Sequence, residues 1–77
     1  MEIYTFVTFE NDKPVGAESK TLENKEQSKE EAKRILTTQS NLTSLTVFKY
    51  EQGQFKWDNK VNKHGMIGTK PVITFVS

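Results

Sequence analysis

Three features of this 77-residue chain predict an α+β fold: an antiparallel sheet of four to five strands with one helix packed on one face. Strand-like segments fill the chain before residue 23. Helical periodicity appears once, between residues 28 and 40. Strand-like alternation returns from residue 45 to residue 76. The predicted order is ββαβββ in one domain, residues 1–77, since a chain of this length has no room for a second.

Ile3 to Glu10 reads as the first strand. Ile3, Thr5, Val7 and Phe9 share one face, and Tyr4, Phe6 and Thr8 share the other. Apolar residues on both faces predict a central position. Asn11-Asp12-Lys13-Pro14 is turn chemistry, because Asn and Asp bond their own backbone and Pro presets φ. Val15 to Leu22 is a weaker strand whose Gly16, Glu18, Ser19 and Lys20 suit a sheet edge.

The helix is read from Ser28 to about Ser40. Ser28 and Glu31 have the spacing of a capping box, in which each side chain satisfies a first-turn N–H. Ala32, Ile35, Leu36 and Gln39 form one narrow stripe along the helix. Glu30 and Arg34 are spaced as a favourable i,i+4 pair, and Asn41 is expected to end the helix in a left-handed conformation. So short a helix is marginal in water and must dock on the sheet.

Leu45 to Val61 reads as a hairpin turning at Gln52-Gly53. A two-residue turn pairs Tyr50 with Phe55 and Phe48 with Trp57, so all four aromatics share one face. The other face then carries Val47, Lys49, Glu51, Gln54, Lys56 and Asp58. The aromatics are expected to be core, because a small domain needs its largest apolar groups inside. Trp57 is the one expected to stay partly exposed. Asn62 to Lys70 is read as a loop between strands four and five, with Met66 and Ile67 held between Gly65 and Gly68. Pro71 precedes a final strand, Val72 to Val76, where it removes no ladder donor.

Composition narrows the function classes. There is no cysteine, so disulfides and thiolate metal sites are excluded. No apolar run approaches the ~20 residues of a membrane-spanning helix. The N-terminus lacks the basic and apolar regions of a signal peptide, and with pattern at both ends the expectation is a complete cytoplasmic domain. The Asn41-Leu42-Thr43 sequon is then inert. Net charge is +1, too small to steer the whole chain to nucleic acid. Residues 1–44 nevertheless hold eight acids and six bases, and residues 45–77 hold five lysines and two acids. Of those lysines, Lys49 and Lys56 face each other on the hairpin, while Lys60, Lys63 and Lys70 lie beyond.

No constellation carries catalytic chemistry. His64 is the single histidine and has no ligands or nucleophile at helical or strand spacing. Gly65-x-x-Gly68 is similar in spacing to the GXXG loop of KH domains, but no helix is predicted beside it. It is not a P-loop, because Thr69 separates the second glycine from Lys70. No cofactor is implied.

One short helix cannot cover both faces of a sheet that is apolar on both. The expectation is therefore a small non-enzymatic protein-binding module, of the regulatory or inhibitory accessory kind, which meets a protein partner or a second copy of itself and no membrane. Phage and mobile-element products are often of this size. The alternative is a nucleic-acid-binding domain using the 45–61 hairpin and the basic 62–70 loop. Candidate binding residues are Trp57, Lys56, Lys63, His64, Met66, Ile67 and Lys70. No residue is assigned a catalytic or metal-binding role.

Overall fold

The computed structural model describes the backbone of residues 1–67 and 70–76. The side chains of residues 65–71 lie outside the described residues, and with them the candidate binding residues Met66, Ile67 and Lys70. The elements follow the order ββαβββ: β1 (Glu2–Glu10), β2 (Lys13–Leu22), α1 (Lys25–Thr38), β3 (Ser44–Glu51), β4 (Gln54–Ile67) and β5 (Lys70–Val76). The strands form one antiparallel sheet ordered β2-β1-β3-β4-β5. β1 is internal and β2 is an edge, as their patterns predict.

Both short hairpins close through positive-φ residues. Asn11 (φ 51) and Asp12 (φ 68) turn β1 into β2, and Gln52 (φ 50) and Gly53 (φ 85) turn β3 into β4. Two consecutive left-handed residues match the right-handed twist of the flanking strands. The expected four-residue turn therefore shrinks to Asn11-Asp12, and Lys13 and Pro14 enter β2 opposite Glu10 and Phe9. A bulge between Thr8 and Phe9 absorbs Val15. Gly16 beside it is closely packed: a Cβ there would lie 3.0 Å from the Thr8 hydroxyl, which would have to shift. At the other hairpin, Tyr50 pairs with Phe55, Phe48 with Trp57 and Lys49 with Lys56, the register expected of a two-residue turn.

The helix is capped four residues earlier than the spacing of Ser28 and Glu31 predicts. Asn24 is the N-cap, and its Oδ1 accepts from the Gln27 N–H at 3.0 Å. Gln27 Oε1 in turn accepts from the Glu23 N–H at 2.9 Å, one residue before the cap, so the return bond of a capping box is displaced by one position. Ser28 is instead buried in the first turn and donates to the Lys25 carbonyl at 2.7 Å. Glu31 points at Arg34 and Lys20 rather than at a cap, so the Glu30–Arg34 pair is replaced by Glu31–Arg34. The helix ends at Thr38, with Gln39 as an extended C-cap (φ −115). Asn41 is not left-handed.

The helix crosses one face of the sheet. Ala32, Ile35 and Leu36 pack with Tyr4, Phe6, Leu42, Leu45, Val47 and Val61, all nearly or fully buried. Leu22, Ile73 and Phe75 close the rim of this core, and the Lys29 ammonium sits 5.7 Å above the Phe75 ring. The face carrying Val47 is thus the core, and the aromatic face of the hairpin is not, which reverses the expected assignment. Helix stripe and sheet meet through aliphatic side chains and through Tyr4 and Phe6 of β1, and the helix leaves no cover for the opposite face.

The predicted loop at 62–70 is absent over most of its length. β4 continues to Ile67, with Asn62, Lys63 and His64 paired to Thr74, Ile73 and Val72. A shift between His64 and Met66 leaves Gly65 as the extra residue, the usual duty of an isolated glycine in a strand.

Candidate functional site: the uncovered sheet face

The site is the sheet face turned away from α1. Alternation and register place Ile3, Thr5 and Val7 of β1 there, beside Phe48 and Tyr50 of β3 and Phe55 and Trp57 of β4. The pairing of Tyr4 with Lys49 puts Ile3 in line with Tyr50 and Phe55. Thr5, Phe48 and Trp57 form the next row. The exposures are large: Ile3 40%, Tyr50 41%, Phe55 48% and Trp57 54%. Val76, opposite Lys60 on β5, adds a further apolar group at 47%. The Tyr50 and Phe55 rings meet edge to face, with centroids 5.2 Å apart and planes at 68°. That is a favoured aromatic geometry, and it holds the patch in shape without a partner.

The second property of this face is its lack of charge. Each acid on a strand or bulge is accounted for on the helix side. Glu2 accepts from the Tyr4 hydroxyl and lies 3.0 Å from Lys49, which also reaches Glu51 at 3.3 Å. Asp58, the bulged residue between Trp57 and Asn59, faces Lys25 at 3.8 Å. Glu10 accepts from Asn41, and Glu18 lies opposite the buried Phe6. The open face therefore holds no described carboxylate. Its described polar residues include Thr5, Ser19, Thr21, Ser44, Thr46, Asn62 and Thr74, with Lys60 and His64 its charged or titratable members.

The sequence-predicted site residues divide accordingly. Trp57 is in the patch, and His64 is exposed further along the same face, opposite Val72. Lys56 is exposed on the other side, opposite Lys49. Lys63 is not a ligand-facing residue: its Nζ donates to the carbonyls of Leu36 at 2.9 Å, Gln39 at 3.1 Å and Ser40 at 3.4 Å. It satisfies the free carbonyls at the end of α1, whose last turn has no base of its own. Burial holds its ammonium below the ordinary lysine value. Ile3, Tyr50 and Phe55 are members of the patch outside the candidate binding residues that the sequence suggests. Their signal was present as apolar residues alternating on one face, but it was read as the core face.

Two other features gather less. A groove of about 300 Å³ lies between the C-terminal half of α1 and β2, floored by Phe6, Ile35 and Leu42. Gly16, on the helix side of β2 opposite Thr8, places no side chain there, and Glu18 is the groove's one ionisable neighbour. Asn59, 1% exposed, donates from Nδ2 to Asp58 at 2.7 Å while its Oδ1 has no partner. Among the described residues no group of three or more His, Asp or Glu side chains converges as a metal site would, and no helix is long and apolar enough to cross a membrane.

No protein-family model, curated protein or solved structure matches the chain.

Proposed function

We propose that this chain is a small protein-binding module, an accessory protein of the regulatory or inhibitory kind, and that the uncovered sheet face is its recognition surface. The observation that carries this reading is the grouping of Ile3, Tyr50, Phe55 and Trp57, each 40–54% exposed, on one face. Contiguous exposed apolar surface is a mark of interaction sites, and Trp and Tyr are the side chains that most often dominate an interface. A partner of matching chemistry offers an apolar, uncharged surface.

Nucleic-acid binding is the second reading, since exposed aromatics on a sheet can stack bases. The lysines speak against it. Lys60 is the described lysine on the aromatic face, whereas Lys49 is paired with two carboxylates and Lys63 is engaged at the helix end. A groove that tracks a phosphate backbone needs several free cations along it.

The test is affinity capture from the native host with the wild-type chain and with Trp57→Lys and Phe55→Lys, after circular dichroism has shown that the variants fold. The reading expects a captured protein, or the chain itself, that both substitutions abolish. It is overturned if nothing captured depends on this face. Binding to a single-stranded oligonucleotide that falls steeply with salt and is weakened by Lys60→Glu establishes the second reading in its place.

A further inference from the structure

Resting on the protein-binding reading, we infer that the occupant of the open face is a second copy of this chain, packed face to face about a two-fold axis. Such an interface brings one patch against itself, so residue i meets j and j meets i. A charge close to the axis then meets its own copy, and that selects against carboxylates or clustered lysines there. The face meets this condition. Its described strand residues include no Asp or Glu, and the pairs Glu2–Lys49, Lys49–Glu51 and Lys25–Asp58 lie on the helix side. Lys60 and His64 stand on β4 away from the Tyr50–Phe55 end, where hydroxyl and amide residues such as Thr46, Asn62 and Thr74 are available to face them.

Size points the same way. The chain measures 41 × 24 × 19 Å. The two larger extents bound the sheet face at about 1,000 Å², so burying most of it reaches the scale of roughly 800 Å² that each partner of a stable complex ordinarily buries. Two such faces stacked about 10 Å apart form a sandwich whose second layer replaces the missing helix. The aromatics gather at the hairpin end of the face, and hydroxyl residues such as Thr46 and Thr74 continue it along β3 to β5, so the contact pairs an apolar anchor with polar surface.

Sedimentation of the full chain from about 1 µM to 1 mM, a span covering common dimer affinities, tests the inference. The expected result is a dimer mass that Trp57→Glu converts to monomer. The dissociation constant should rise about 30-fold or more, the effect of losing an aromatic anchor. Lys56→Glu, on the opposite side of β4, is expected to leave the dimer unchanged. A wild-type monomer at all concentrations overturns the inference, as does a dimer indifferent to both Trp57→Glu and Phe55→Glu. Either result leaves the protein-binding reading standing if the capture experiment finds a different protein that depends on this face. Loss of both sinks that reading as well.

Discussion

The Lys63 ammonium donates to the Leu36 carbonyl at 2.9 Å, joining β4 to the end of a helix 27 residues earlier. With Gln39 and Ser40 also accepting from it, one strand residue satisfies the carbonyls that a helix C-terminus leaves open. It also places a positive charge at the negative end of the helix dipole. Lys63→Met keeps most of the stem and removes the donors. It is expected to destabilise the fold by about 1–2 kcal/mol, the worth of charge-assisted bonds at a partly buried site. A urea midpoint should fall accordingly, while Lys56→Met on the exposed hairpin changes it little.

The helix start supplies a second test. Asn24 Oδ1 caps Gln27 N–H, whereas Ser28 lies inside the first turn and bonds the Lys25 carbonyl. Asn24→Ala is expected to cost about 1 kcal/mol. Ser28→Ala, which fits the same buried space, should cost clearly less. The reverse ranking in chemical denaturation returns the cap to Ser28.

Tyr4 makes the fold sensitive to strong base. Burial disfavours its phenolate, and its hydroxyl donates to Glu2, so its pKa is pushed up to about 12 from 10.0. An acid whose folded pKa is raised contributes stability that is full below pH 10 and is lost as pH climbs towards 12, because the unfolded chain releases the proton first. Wild-type stability should therefore fall across that window. Tyr4→Phe should flatten the fall attributable to this group, as read from urea midpoints at successive pH values.

Asn59 offers the opposite kind of change. Its buried Oδ1 lacks a hydrogen-bond partner, and an unsatisfied buried acceptor costs about 1–3 kcal/mol. Asn59→Leu exchanges that amide for an apolar group of similar size beside Val47 and the core. The expected outcome is a stabilised chain, measured as a higher thermal midpoint. A lower midpoint means the Nδ2 bond to Asp58 outweighs the orphaned oxygen.

Much of the architecture is legible because it is local. Turn chemistry at Asn11-Asp12 and Gln52-Gly53 dictates hairpins, and a two-residue turn sets the register that pairs Tyr50 with Phe55. The stripe of Ala32, Ile35 and Leu36 marks the helical face that docks. The candidate site was less legible. Both faces of β1 and β3 carry apolar residues at period two, and alternation separates faces without saying which of them a helix will cover. Size favoured Phe48, Tyr50, Phe55 and Trp57 as core. The observed choice puts the helix over Leu45, Val47 and Val61 instead.

By itself, the sequence determined the elements, their order, the hairpin register, the edge character of β2 and an apolar surplus greater than one helix can hide. These depend on neighbours a few residues apart. The tertiary structure alone decided that the aromatic face stays open, that Lys63 serves the helix rather than a ligand, and that β4 runs on through the 62–67 segment to pair with β5. Each of these is a competition between groups distant in the chain. It is resolved by which apolar surfaces bury together and which backbone groups would otherwise go unpaired.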